Sequence, residues 1–326
     1  MMSQNNQEEI INYYLYGTVI TRYGLASLNH GMRQGNKTLL QKVFWENKIH
    51  SLVSSSAIRW ALRFYLQKKG YLVNRVWDEN EHINRLINEA FDPEQFYDDD
   101  IFGFALLESA ENENNEGEAP PSSRRRRRNQ TQVSNNNQRM GALAMNHAIS
   151  LTPYNGALLL GAKSGREKDS TSLHFTEYHA TRYQYYFGVN ATHLNVQSRI
   201  FELIDGIMDI PKVGGNSNIF NYPFLPDSFV FQWTNHFSSY VSYCFEACDA
   251  TEKKIKLKKD FVNEIECGQI ESNELWFGGP IVEELQQLEN FEKLNLSKVH
   301  LYRNRRTLVE DLKEVITRDL RLNQSS

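Results

Sequence analysis

His50-Ser51-Leu52-Val53-Ser54-Ser55-Ser56-Ala57-Ile58-Arg59-Trp60-Ala61-Leu62-Arg63-Phe64-Tyr65-Leu66-Gln67-Lys68-Lys69-Gly70 is the stretch around which the chain is organised. The serine run Ser54, Ser55 and Ser56 signals a helix start, because a hydroxyl there accepts from backbone N–H groups that lack a partner in the first turn. Residues 57–69 then follow one apolar face, with Ile58, Ala61, Leu62 and Tyr65 at helical spacing. Lys68 and Lys69 stand in the last turn, where cations suit the helix dipole, and Gly70 is a stop signal. Arg59 and Arg63 lie one turn apart on a single side. Hydroxyls, N–H groups at the positive end of a dipole and two guanidiniums together make a cradle for a phosphate backbone. Taken alone, the segment favours the plainer reading, an amphipathic helix with solvated arginines.

The distribution of charge changes that balance. Residues 1–77 hold ten Lys or Arg (Arg22, Arg33, Lys37, Lys42, Lys48, Arg59, Arg63, Lys68, Lys69, Arg75) against three acids (Glu8, Glu9, Glu46), a charge of +7 inside a chain of net charge −4. The first aspartate of the chain is Asp78. A basic module within a mildly acidic protein points to a localised polyanion site.

Composition sets the outer limits. The 326 residues suffice for one large domain or two small ones, and aromatic residues at 12% provide for a substantial core. No apolar run approaches the ~20 residues of a membrane span. The first nine residues are polar and carry no signal-peptide apolar region. Three cysteines, Cys244, Cys248 and Cys267, are too few for a disulfide framework, so a cytoplasmic location is expected. No second ligand pair accompanies Cys244 and Cys248, and neither a zinc site nor another metal or cofactor is expected.

Along the chain, residues 12–22 are aromatic and β-branched and predict a first strand. Residues 23–35 read as a loop, 38–47 as a short helix, and 78–91 as a helix capped by Asp78 with Ile83, Leu86 and Ile87 inward. Asp98-Asp99-Asp100 lacks partner ligands at a metal-binding spacing, and reads as an exposed acidic loop. Residues 109–138 have no large apolar residue except Val133 and read as a disordered insertion carrying Arg124 to Arg128. Residues 156–164 nearly spell a phosphate-binding loop, but Ala162 puts Lys163 out of register and three leucines fill the loop, so nucleotide binding is rejected. Residues 152–181 read instead as an extended hairpin arm. A strand over 182–189, a helix over 196–208, a glycine-rich turn over 212–217, a strand over 228–233 and a charged helix over 305–320 follow. The order of strand, helix, long excursion, strand, helix, strand predicts an α+β fold, with a ferredoxin-like or RNA-recognition-type core carrying large insertions. A sheet of that kind offers an RNA-binding face.

The ordered set of segments resembles one family. The residues that carry the resemblance are Leu28-Asn29 after the first strand, and Val53-Ser54-Ser55-Ser56-Ala57-Ile58-Arg59 with Leu62-Arg63. The aspartate-rich lead into Ile101-Phe102-Gly103 matches as well, as does the Asn146-His147-Ala148-Ile149-Ser150 core of residues 141–150. Residues 212–216 followed by Pro226-Asp227-Ser228 complete the set. Together they resemble the CRISPR-associated backbone subunits of type I Cascade effector complexes, specifically the DevR-like, Cas-seven group of type I-B systems.

That resemblance implies an RNA-recognition-like palm, a helical finger insertion over residues 71–108 and a thumb hairpin over 152–181, all within one unit spanning 1–326. It implies copies arranged head to tail along a CRISPR guide RNA, alongside other Cascade subunits, with the target DNA strand met through base pairing to the guide. Carried over residue by residue, Ser54, Ser55, Ser56, Arg59 and Arg63 would hold guide phosphates, with Asn29 helping from the neighbouring loop. Phe102 and Gly103 would lie near a displaced base, and Lys212, Gly214, Gly215 and Asn216 would form a second backbone contact. No catalytic residue is expected. An RNA-cleaving type III backbone subunit would need an aspartate in the loop after the first strand, and this chain has none there. The remaining alternative is a scaffold protein that does not bind RNA.

Overall fold

The computed structural model describes residues 11–105, 138–163, 172–210, 212–214, 221–249, 251–252, 254–287 and 298–322. The chain opens with β1 (Tyr14–Thr21), β2 (Gly24–Ala26), β3 (His30–Gln34), β4 (Lys37–Leu40), β5 (Lys42–Trp45) and β6 (Lys48–Val53), then α1 (Ser55–Lys68). Next come β7 (Arg75–Asp78), β8 (Ile83–Leu86), α2 (Tyr97–Phe102) and β9 (Gly103–Ala105). Beyond residue 137 lie β10 (Gln138–Met140), β11 (Leu143–Met145), β12 (Ala148–Ser150), β13 (Ala157–Lys163), β14 (Ser172–Thr181), β15 (Tyr183–Asn190) and α3 (Arg199–Met208). The remainder comprises β16 (Pro226–Thr234), β17 (Phe245–Ala247), β18 (Ile255–Leu257), α4 (Lys259–Glu266), β19 (Leu275–Gly278), α5 (Ile281–Gln286), β20 (His300–Tyr302) and α6 (Arg305–Asp319).

The central sheet runs β20-β19-β16-β1-β15-β12-β6-β5, with β11 also paired to β15. Within it β16, β1, β15 and β12 are neighbours in that order, each antiparallel to the next. The fold is mixed α+β. β1 shows why both faces of this sheet are buried. Its alternate side chains point to opposite sides, and Leu15 and Val19 enter one apolar cluster while Tyr14, Tyr16 and Ile20 enter another. Gly17 sits where a Cβ would meet the rings of Phe187 and Phe231 at 2.6 Å, so any larger residue would push these two aromatic rings apart.

The first cluster is covered by α1, α3 and α6, through Ile58, Leu62, Ile204, Ile207, Leu308 and Leu312. Burying each such aliphatic side chain stabilises the fold by about 1.5–3 kcal/mol. The second cluster is covered by the C-terminal third, through Val241, Phe245, Phe261, Ile265, Ile281 and Leu285. Among the described residues both faces at the centre of the sheet are therefore covered, contrary to the expectation of an RNA-binding sheet face. Tyr14 and Tyr16 are buried, and the Tyr16 hydroxyl donates to the carbonyl of Phe237.

Three local expectations are corrected. Residues 38–47 are strands rather than a helix. Glu46 and Asn47 both take positive φ, 47° and 62°, the conformation of a two-residue hairpin turn joining β5 to β6. The stretch read as loop, 23–35, contains β2 and β3. Residues 78–91 are not a helix either, because β7 and β8 pair as a hairpin. The Asp78 carboxylate accepts from the N–H groups of Asn80 and Glu81 and so stabilises the turn between those strands. Ile83, Leu86 and Ile87 are exposed. Residues 157–163 are strand β13, antiparallel to β14, in agreement with a hairpin and not with a phosphate loop. Most of 109–138 lies outside the described residues.

Candidate nucleic-acid interface

Ser54 caps α1. Its hydroxyl accepts from Ala57 N at 3.2 Å and donates to Asn29 Oδ1 at 3.1 Å. Asn29 has a positive φ of 53°, and Gly214, φ 83°, packs beside it. A Cβ on Gly214 would come within 3.1 Å of Asn29 N and 3.2 Å of Leu28 Cβ, so the glycine lets the two loops close on each other. Three expected residues from distant parts of the chain are thereby brought together at the start of α1. Lys212 beside them is exposed. Gly215 and Asn216 lie outside the described residues. His147 Nδ1 accepts the Ser55 N–H at 3.0 Å, so part of the helix's free donor set is already satisfied within the fold. Ser56 is exposed one step further along.

Beyond Ser56 a cleft of about 440 Å³ opens, lined by Ser56, Arg59, Arg63, Arg75, Phe102, Gly103, Phe104, Ala105 and Arg139. Four guanidiniums thus surround one space. The Arg59 and Arg63 guanidiniums lie 5.7 and 5.0 Å from the ring centre of Phe102, within cation–π range. Arg59 Nη2 also donates to the Phe102 carbonyl at 2.9 Å. Phe102 is only 5% exposed, so it forms the floor of the cleft and does not project as a stacking surface. Phe104 stacks on Phe91 with ring centres 4.4 Å apart, and the Arg75 guanidinium lies 5.1 Å from the Phe91 ring centre. Burial first and the charge of Arg75 second push Arg59 below the ordinary arginine range. Arg63 is pushed down chiefly by burial, against an opposing pull from Asp98. Crowded, half-buried cations of this kind gain when an anion enters.

Gly103 has a structural task. Its φ is 69°, and a Cβ there would sit 2.3 Å from the Arg139 carbonyl oxygen, where β9 crosses β10. It sets the close approach that brings Arg139 to the cleft.

The aspartate triplet overturns the exposed-loop expectation. Asp98, Asp99 and Asp100 lie on α2 and are fully buried. Asp98 accepts from Arg63 Nε at 3.0 Å, and Asp99 from Arg75 Nη1 at 3.2 Å. Asp100 accepts from Arg139 Nη2 and Arg199 Nη1, both at 2.9 Å. Arg63 is therefore partly committed to the interior through Nε while it also lines the cleft. Four guanidiniums pair with the three carboxylates and Arg59 stands beside them, so five positive charges face three negative ones.

No family model matches the chain. The chain is 29% identical over 307 residues to the CRISPR-associated protein Cas7/Cst2/DevR of Myxococcus xanthus, covering 89% of this chain and 94% of that protein. Solved structures share the fold of this chain. A chain of a CRISPR RNA-guided surveillance complex, pre-nicking, superposes with a TM-score of 0.57 at 9% identity, over 93% of this chain and all of that one. A chain of a second CRISPR RNA-guided surveillance complex gives 0.52 at 12% identity, over 93% and 99%.

Of the residues that line the cleft, sequence reasoning named Ser56, Arg59, Arg63, Phe102 and Gly103 and missed the two further arginines. Arg75 and Arg139 come from β7 and β10, and Arg139 Nη2 also reaches the carbonyl of His193 at 2.8 Å. A usable signal was present. Three adjacent carboxylates lead directly into the apolar pair Ile101-Phe102, which places them where burial, and hence cationic partners, would be needed.

Proposed function

We propose that this protein is a non-catalytic, guide-RNA-binding backbone subunit of a type I-B CRISPR effector complex, acting in the cytoplasm. The cleft carries this reading. Four guanidiniums around one open space, beside a serine-capped helix start, suit the phosphates of a single strand. Guanidiniums on phosphates fix register and orientation without reading bases. Sequence recognition of the target DNA then falls to the guide by base pairing.

The remaining architecture supports the same reading. The antiparallel order β16-β1-β15-β12, with α1 and α3 packed on one face, suits an RNA-recognition-type palm. The β7–β8 hairpin and α2 correspond to the finger, and the β13–β14 hairpin to the thumb. Copies contacting head to tail in a way that does not close would generate a helical array along the guide, next to the other subunits of the complex. Among the described residues no helix is long and apolar enough to cross a membrane.

The test is binding of a fluorescent, unstructured single-stranded RNA as a function of salt. If all four cleft arginines meet phosphates, log Kd against log salt should have a slope magnitude of roughly 3, at ~0.7 per phosphate. An absence of binding at low salt, or a slope near zero, would reject the reading.

A further inference from the structure

Resting on that RNA-binding reading, we infer that Asp98, Asp99 and Asp100 are positioning residues that hold the cleft's arginines in binding geometry while touching no RNA themselves. Three consecutive residues reach guanidiniums from four separate elements: Arg63 on α1, Arg75 on β7, Arg139 on β10 and Arg199 on α3. Backbone donors take up further oxygen valences. Asp98 accepts from Asn74 N at 2.6 Å, Asp99 from Asp92 N at 3.1 Å, and Asp100 from Asn195 N at 2.9 Å and Val196 N at 3.2 Å. The carboxylates are therefore fixed before any ligand arrives.

The division of labour among the arginines supports this. Arg199 is 4% exposed and spends its donors on Asp100 and on the carbonyls of Pro93, Glu94 and Phe96. It anchors α2 to α3 and does not line the cleft. Arg63, Arg75 and Arg139 each touch a carboxylate and also line the cleft. A guanidinium has five N–H donors in a rigid fork, so anchoring through some of them leaves others in a fixed direction for a phosphate. A long side chain held in this way loses less conformational freedom on binding. For stability alone, apolar packing would serve as well as buried ion pairs. An ionic hub makes better sense where the cations have a second task.

Asp99 is the cleanest member to test. Its cation partner is Arg75, at 3.2 Å against 3.5 Å for the same Nη1 to Asp98, and Asn74 Nδ2 also donates to it at 2.8 Å. Asp99→Asn nearly preserves shape but removes one negative charge behind the cleft. The general field of the protein then predicts tighter RNA binding, whereas positioning predicts weaker binding. The expected result is a roughly fivefold to tenfold loss of affinity for a fluorescent single-stranded RNA, with a smaller salt slope, as one phosphate contact is lost. In an Arg75→Gln background the same substitution should have no further effect. Asp99→Glu should restore part of the affinity. Equal or tighter binding by a folded Asp99→Asn protein would overturn the inference. If Asp99→Asn does not fold, Arg75→Lys decides the matter. That variant keeps the charge but loses the fork, so weaker binding supports positioning and unchanged binding overturns it. Failure of the unaltered protein to bind RNA would instead reject the functional reading itself.

Discussion

Two arginine networks in this molecule use the same chemistry to different ends. Around Arg182 the network is closed. Arg182 Nη1 donates to Asp227 Oδ2 at 2.5 Å and to the Thr21 carbonyl at 3.1 Å, and Nε donates to the Glu252 carbonyl at 3.0 Å. The Glu252 carboxylate in turn accepts from Arg182 N at 2.6 Å and from the hydroxyls of Thr181 and Thr152. This knot ties the β14–β15 junction to β1, β16 and the C-terminal third. Around Asp98–Asp100 the network is open, with three of its arginines forming walls of a cleft. Pairing an arginine with a buried carboxylate does not by itself distinguish structure from function. What distinguishes the two regions is whether the guanidiniums also border an open space and whether cations outnumber carboxylates there.

The largest expected effect breaks the closed network. Arg182→Met removes the guanidinium that joins Asp227 Oδ2 to the carbonyls of Thr21 and Glu252 and leaves Asp227 only the more distant Arg22, at 3.8 Å, at a cost of about 3 kcal/mol in urea unfolding. RNA affinity of the remaining folded protein should not change. If stability were unaffected, the knot would be incidental.

A smaller effect concerns a third polar cluster, at the base of the β13–β14 hairpin. His179 Nδ1 lies 2.8 Å from the Ser51 hydroxyl, which also meets the Tyr183 hydroxyl at 2.9 Å. Burial first, then the neighbouring His50, lowers the His179 pKa to about 4. The fold thus favours neutral histidine, whereas the unfolded chain protonates near pH 6.5. This contribution is fully present above pH 6.5 and is lost as pH falls toward 4, amounting to about 3 kcal/mol at one unit per 1.36 kcal/mol. His179→Gln should flatten the stability profile in that window. Superimposable profiles for the two proteins would contradict the assignment.

The smallest effect on the fold, and the one that sharpens the comparison, is at Arg59. It donates to the Phe102 carbonyl and, among the described residues, pairs with no carboxylate. Arg59→Gln should weaken RNA binding roughly tenfold, about 1.4 kcal/mol, while shifting stability by less than about 1 kcal/mol. A large loss of stability with unchanged RNA affinity would move Arg59 into the structural class.

The parts of the molecule that were legible in the sequence are those written in local signals. The Ser54 cap, the apolar face of α1, strands β1, β15 and β16, helix α6 and the hairpin over 157–181 follow from capping chemistry and residue period. The β7–β8 hairpin was not legible, because the spacing of Ile83, Leu86 and Ile87 also fits a helix and only the pairing of Trp77 with Asn84 and its neighbours decides it. The second wall of the cleft was hidden for a different reason. Asp98 meets Arg63 across 35 positions, and Asp100 meets Arg199 across 99. No local pattern encodes pairings at such separations. The same limit hid the covering of the sheet by the C-terminal third, which depends on where residues 241–285 return in space. Arg63 was found as a cleft residue but with its role simplified, since its carboxylate partner lay in what read as an acidic loop.

The central claim is assembly on RNA through the open network. The most direct measurement is the solution mass of the purified protein, together with its ratio of absorbance at ~260 to ~280 nm, before and after ribonuclease treatment, since bound nucleic acid raises that ratio and a strand-templated array depends on the strand. The account predicts a large RNA-containing species that falls to small units once the RNA is digested. A nucleic-acid-free monomer that also fails to bind added guide RNA would contradict it.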